Sequence, residues 1–280
     1  MRIVRNTAGL LALAAVALPA LYLSAQQTAP AAGAGNPPSF EVASIKPTKP
    51  GDGHHNWNGQ RGGLSIENYT LRRLIREAYG LKSDSQVLGG PDWMGKQAYD
   101  IEAKYSDAEI AKMQNMRARE RYHETQLAVR ALLADRFQLK VSQETRTISV
   151  YALVVAKGGA KLTPAVAQLD AEGKPRAEPN HSLRDSNGHM TAIAMPMSGL
   201  ADWFVNDPEC DRVVIDRTGL TGDFDFKMDW TQDNGQGIPP DAQYPGLFTA
   251  LREQLGLELK PDKAPVDVVV VANAVAPEFD

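Results

Sequence analysis

Asp52, His54 and His55 lie within four positions of one another, and an imidazole pair beside a carboxylate is a donor set that can share one metal ion. No second pair of spaced ligands follows, as a structural zinc site requires. The Gly- and Asn-rich surroundings predict a solvated surface loop over residues 51–63. His123, His181 and His189 are candidate bases. A base needs a nucleophile, and the chain has neither a Gly-x-Ser-x-Gly elbow nor a His-Glu-x-x-His helix. Solvated histidine is the expectation for all three.

Four carboxylates, Asp216, Asp223, Asp225 and Asp229, fall within 14 residues without the spacing of an EF-hand loop. Asp216 and Asp223 flank Gly219 and Gly222, which predicts a turn whose carboxylates accept local N–H groups. Asp225 alternates with Phe224 and Phe226 and is expected to face away from them. Cys210 is the single cysteine, so the chain has no internal disulfide. Its neighbours Asp207, Glu209 and Asp211 oppose a thiolate, which predicts an inert thiol. Trp93 sits in a turn and Trp203 lies off an apolar helical stripe, so both are candidates for a partner surface. No motif calls for a cofactor.

Several elements must carry these groups. Leu71, Leu74, Ile75, Ala78 and Tyr79 recur at i, i+3, i+4, i+7 and i+8, the apolar stripe of an amphipathic helix. Thr70 is its N-cap, and Gly80 stands where a left-handed residue ends it. Met197, Leu200, Ala201, Phe204 and Val205 repeat the stripe 126 positions on, with Pro196 at the helix start. Each stripe runs into a glycine turn, Gly89-Gly90-Pro91 in one case and Asp216 to Gly222 in the other. A strand follows each turn, at Tyr99-Asp100-Ile101 and at Phe224-Asp225-Phe226.

One long helix is expected over 107–135. Strands are expected at Phe137–Val141 and Val150–Val155, joined through Thr145-Arg146-Thr147. Leu257–Leu259 and Val266–Val271 repeat that strand pair after a second stripe at Leu247, Phe248, Leu251 and Leu255. The matched series predict a duplication. The fold class is α+β, as two tandem small mixed sheets with helices packed on one face. The first repeat spans 39–159 and the second 188–275, with a Pro- and charge-rich linker at 160–187.

The N-terminus sets the compartment. Arg2 and Arg5 precede an apolar run, Leu10 to Leu18, broken by Pro19 and ending in small residues at Ser24-Ala25. That is the pattern of a signal peptide over 1–25, with an uncleaved membrane anchor as the alternative. An Ala-, Gly- and Pro-rich tether over 26–38 follows. The net charge is −4, with 30 basic and 34 acidic residues, and no long basic stripe points to nucleic acid.

Phe40-Glu41-Val42-Ala43-Ser44-Ile45-Lys46-Pro47, Gly90-Pro91-Asp92-Trp93, Leu132-Leu133-Ala134-Asp135-Arg136-Phe137 and Asp216-Arg217-Thr218-Gly219-Leu220-Thr221-Gly222 carry a resemblance. So do Tyr99-Asp100-Ile101-Glu102-Ala103 and the run from Tyr151 to Gly159. The chain resembles an uncharacterised exported family, expanded in acidobacteria, known as a domain of unknown function. The strand-helix-turn-strand pieces are also similar to the short N-terminal domain of secretins and TonB-dependent receptors, a periplasmic module that binds partner proteins. The first resemblance implies export and fold but transfers no catalytic residue. The expected function is an exported, non-catalytic module that binds a protein or cell-envelope partner and takes no cofactor. The alternatives are an exported hydrolase, or a sensor of a metal or small ligand, with a site between the repeats.

Overall fold

Residues 38–49, 54–174, 176, 179–233 and 235–279 are described by a computed structural model. The expected signal peptide, nearly all of the expected tether, and Asp52 lie outside the described residues. The first half runs through β1 (Phe40–Pro47), β2 (Asn56–Gln60), β3 (Gly63–Thr70), α1 (Leu71–Ala78), β4 (Val87–Gly89), β5 (Ala98–Tyr105), α2 (Asp107–Met113), α3 (Ala118–Arg136) and β6 (Lys140–Val155). The second runs through β7 (Thr163–Pro164), β8 (Ser182–Ser186), β9 (His189–Pro196), α4 (Met197–Asn206), β10 (Val214–Asp216) and β11 (Asp223–Asp229). It ends with α5 (Leu247–Ala250), which continues as a π-helical turn over Leu251–Leu255, and β12 (Leu257–Asn273).

The class is α+β, and the duplication extends to strand order. The sheet of the first half is ordered β1-β5-β3-β2, and that of the second β7-β11-β9-β8. Position for position, β2-β3-α1 and β8-β9-α4 are the same unit 126 residues apart. The loop expected over 51–63 therefore contains a strand, β2. Its Asn- and Gly-rich sequence hid it, because only backbone pairing with β3 makes it one. Within 160–187, Thr163–Pro164 and Ser182–Ser186 likewise add edge strands to the second sheet.

A third sheet, ordered β10-β6-β12-β4, joins the halves. The two strand pairs expected from the sequence are two continuous strands. β6 and β12 run antiparallel from Leu257 opposite Val155 to Asn273 opposite Lys140. Thr145-Arg146-Thr147 is mid-strand rather than a connection. Its polar residues read as a loop because no core covers them; ladder hydrogen bonds to Val266, Asp267 and their neighbours keep them extended.

The short strands are exchanged. β4 of the first half pairs in parallel with β12 of the second, Val87 opposite Val269. β10 of the second half pairs in parallel with β6 of the first, Val214 opposite Tyr151. Each half therefore completes its core with the other half's long strand. Val269 and Val271 pack with Leu74, Ile75, Leu133 and Phe137. Leu153 of β6 packs with Phe204, Phe226 and Leu251. These ladder residues are odd-numbered and directly opposed, so both cores lie on one face of the ribbon.

The helix expected over 107–135 is two. Ser106 caps α2 through Glu109 N at 3.3 Å, and Glu120 reaches back to Arg117 N at 2.8 Å to begin α3. No Gly or Pro marks the break in the sequence.

A repeated polar clamp ties two neighbouring strands together in each of the first two sheets. Asn68 and Ala194 are equivalent positions in β3 and β9, and both have left-handed backbones, with φ of 58° and 49°. The N–H of Asn68 donates to Asp100 Oδ1 at 2.9 Å, and that of Ala194 to Asp225 Oδ1 at 2.7 Å. Asp100 and Asp225 are thus structural acceptors for a strained bulge. Because Ala194 is 1% exposed, water cannot replace Asp225.

Two expectations follow. Asp225→Ala strands a buried N–H beside a strained alanine and costs about 1–3 kcal/mol in urea unfolding, whereas Asp241→Ala, at an exposed loop position, stays within about 0.5 kcal/mol. Equal effects from the two would remove the clamp. Because the cores are interlocked, calorimetry of the intact chain is expected to give one cooperative transition, its van't Hoff and calorimetric enthalpies agreeing. Two separable transitions would mean the halves fold independently.

Candidate functional site

Among the described residues, the candidate histidines do not converge. His54 and His55 are exposed ahead of β2. The His54 carbonyl accepts from Asn68 Nδ2 at 2.8 Å, and the His55 ring lies edge-on to Tyr69 at 6.1 Å. Among the described residues, no three His, Cys, Asp or Glu side chains gather to hold a metal ion. His123 is exposed on α3.

The other two histidines have partners that spacing could not reveal. His181 lies 3.7 Å from Asp223, and His189 Nδ1 lies 2.8 Å from Asp229 Oδ1. Both pairs are open to solvent, and they sit at opposite ends of β11. They are exposed side-chain contacts with no nucleophile against them.

The turn residues act as turns. Gly89 and Gly90 have φ of 71° and 75°, and a Cβ on Gly89 would meet the Val271 carbonyl oxygen at 3.0 Å. Pro91 then leads into a helical turn at Asp92–Gly95. Asp216 accepts from Thr218 N at 2.9 Å and Thr218 Oγ1 at 2.7 Å, ahead of Gly219 and Gly222 with φ of 69° and 89°. The loop accordingly spends its carboxylate on its own backbone.

Trp93 and Trp203 are half-buried, each on a different core. Trp203 packs edge-on to Trp230 at 5.6 Å. Each presents part of its surface to solvent and holds the rest as a lid.

Two grooves remain. The first, of about 710 Å³, lies on the seam between the halves. Its floor is the middle of the β6–β12 ribbon, where Gln143, Thr145 and Asp267 face up between the two cores. Its walls are the end of α1 and the face of α4, bridged by an ion pair between Lys82 and Asp202. Gln86 pins one wall to the floor. Its Oε1 accepts from Lys82 N at 2.8 Å and Ser83 N at 2.9 Å, and its Nε2 donates to the Asp267 carbonyl at 2.7 Å. Thr145 Oγ1 donates to Asp267 Oδ1 at 2.9 Å.

The second groove, of about 770 Å³, opens between the outer edge of β2 and the α2–α3 pair. Trp57, Tyr105, Ile110, Met113 and Tyr122 supply apolar surface, and Arg61 and Arg121 supply positive charge. Burial, aided by the Glu109 and Glu124 charges, pushes the Tyr105 phenol up, while its hydrogen bond with Thr125 opposes this. The residues lining this groove include no His, Asp or Glu. Its content suits recognition rather than proton transfer.

Carboxylates and the thiol near α4 are perturbed by burial. Desolvation raises Asp207 and Glu209 above the usual carboxylate range, reinforced by Asp185 for the first and by Asp207 and Asp233 for the second. Burial, with Asp211 and Asp207 nearby, pushes the Cys210 thiol to about 11.

The model of a family described as a protein of unknown function, DUF3738, matches residues 72–274. No curated protein and no solved structure matches the chain.

The Cys210 thiol should stay unmodified by iodoacetamide at pH 8 and react once urea unfolds the chain, as mass spectrometry would record. Its folded pKa lies above that of an unfolded thiol, about 8.5. The stability it contributes is therefore complete below that value and is lost as pH rises towards about 11. Fast alkylation of the folded chain at pH 8 would contradict the burial.

Proposed function

We propose that this chain, which belongs to the DUF3738 family of proteins of unknown function, is an exported, non-catalytic module that binds a protein or cell-envelope partner. The observation that carries the reading is that two of the edge strands, β2 and β8, pair on one side only among the described residues. Each presents backbone N–H and C=O groups to one side without a neighbouring strand, which is a template for another chain. The exposed, separated histidine–aspartate pairs support binding over hydrolysis, since neither sits in a groove beside a nucleophile.

Export is proposed from the basic, apolar and small-residue series over 1–25. Among the described residues no helix is long and apolar enough to cross a membrane. The acidobacterial-type motifs, and the likeness of the strand-helix-turn-strand units to the N-terminal domain of secretins and TonB-dependent receptors, belong to the same reading. They suggest a partner in the cell envelope. The seam groove favours one second reading, a sensor for a small polar ligand held by Gln143, Thr145, Asp202 and Asp267.

The test is expression of the full chain in a didermal bacterium, followed by fractionation and N-terminal sequencing. The expected result is a periplasmic or secreted protein beginning after Ala25, which cross-links to a defined envelope component. A protein that stays in the cytoplasm with its N-terminus intact and gives no cross-link above background would overturn the proposal.

A further inference from the structure

The β2–β3 hairpin decides which backbone groups are free. Gln60 pairs with Gly63 across a two-residue turn, so those two exchange hydrogen bonds, as do Asn58 with Ser65 and Asn56 with Glu67. The N–H and C=O groups of Trp57 and Gly59 must then point outward, away from β3. Both residues line the second groove. Their side-chain positions lie opposite Ile66 and Leu64, which face the core, so the sheet's apolar face continues past β2 onto the groove floor. A Cβ on Gly59 would meet nothing within 4 Å. One more strand would fit there, laying alternate side chains under Met113 and Tyr122.

Charge selects the occupant. The groove lining carries Arg61 and Arg121 and no carboxylate. Glu109 and Glu124 lie near Tyr105, but Glu109 is paired with Lys112. The duplication also breaks at this point. The second-half equivalents of Trp57 and Gly59 are Leu183 and Asp185, and among the described residues no helix corresponds to α2.

We propose that the outer edge of β2 and the adjoining groove bind an extended, anionic segment of a partner protein as an added strand. The segment would hydrogen-bond to Trp57 and Gly59, place an apolar side chain between Trp57 and Met113, and bring a carboxylate to Arg61 and Arg121. This inference rests on the binding function proposed above and assigns its surface.

The test uses the full chain and an acetylated, fluorescent hexapeptide that alternates serine with valine and ends in aspartate. Fluorescence anisotropy is expected to detect binding that weakens with salt. Gly59→Pro removes one outward N–H without touching the β2–β3 ladder and should weaken binding at least tenfold at unchanged melting temperature. Arg61→Glu should weaken it severalfold. No binding up to millimolar peptide, or equal affinity in both variants, would overturn the assignment. A concentration-dependent dimer that Gly59→Pro abolishes would make a second copy the occupant and also overturn it. Cross-linking separates the two proposals: an envelope component held equally by wild type and Gly59→Pro sinks the β2 site alone, and one held by neither sinks the binding function.

Discussion

β6 and β12 are held along their whole length by each other. The stretch Ser142 to Thr147 is polar and exposed, while Val150 and Ala264 pack with Val213 and the two ends of the ribbon are buried in different cores. Val269 and Val271 close the first-half core, and Leu153 closes the second. Burying a side chain of this size contributes about 1.5–3 kcal/mol, so neither half can release its partner's strand without opening its own core. The exchanged strands β4 and β10 add parallel pairing to the same ends. A tandem duplication has become one interlocked body through this antiparallel pair.

The seam groove is a consequence of that arrangement. Both cores sit on one face of the ribbon, and the residues between them are left as a polar floor. Lys82, Asp202 and Gln86 bridge the gap at its walls. The β2 groove arises differently, where the repeats diverge. The first half inserts α2 and a long α3 beside an edge strand, whereas the second half has a short helix and a loop. Duplicated parts of the chain therefore maintain the fold, and the unduplicated part lines the more apolar of these two grooves.

The carboxylates illustrate how a residue type misleads about function. Asp100 and Asp225 look available for metal or acid–base chemistry, and each instead accepts the N–H of a left-handed residue in the neighbouring strand. Asp216 is committed to its own turn. The perturbed acids Asp207 and Glu209 owe their shifts to burial beside other acids near Cys210, a setting that lines neither groove.

Periodicity alone determined the two helical stripes, the glycine turns, the α+β class and the duplication, because each is written in local spacing of apolar residues and in φ-permissive positions. The sequence also read Gly89, Gly90, Asp216, Gly219 and Gly222 as turn residues; the four glycines have positive φ and Asp216 accepts from Thr218 N. What tertiary structure decided was pairing. β2 and the centre of β6 have no apolar alternation, and only a neighbouring backbone makes them strands. The exchange of β4 and β10, the His189–Asp229 contact and the open groove beside Trp57 and Gly59 each depend on residues tens of positions apart. Hydrogen bonding between strands carries no side-chain signature, so the feature on which the proposed function rests was the one the sequence concealed.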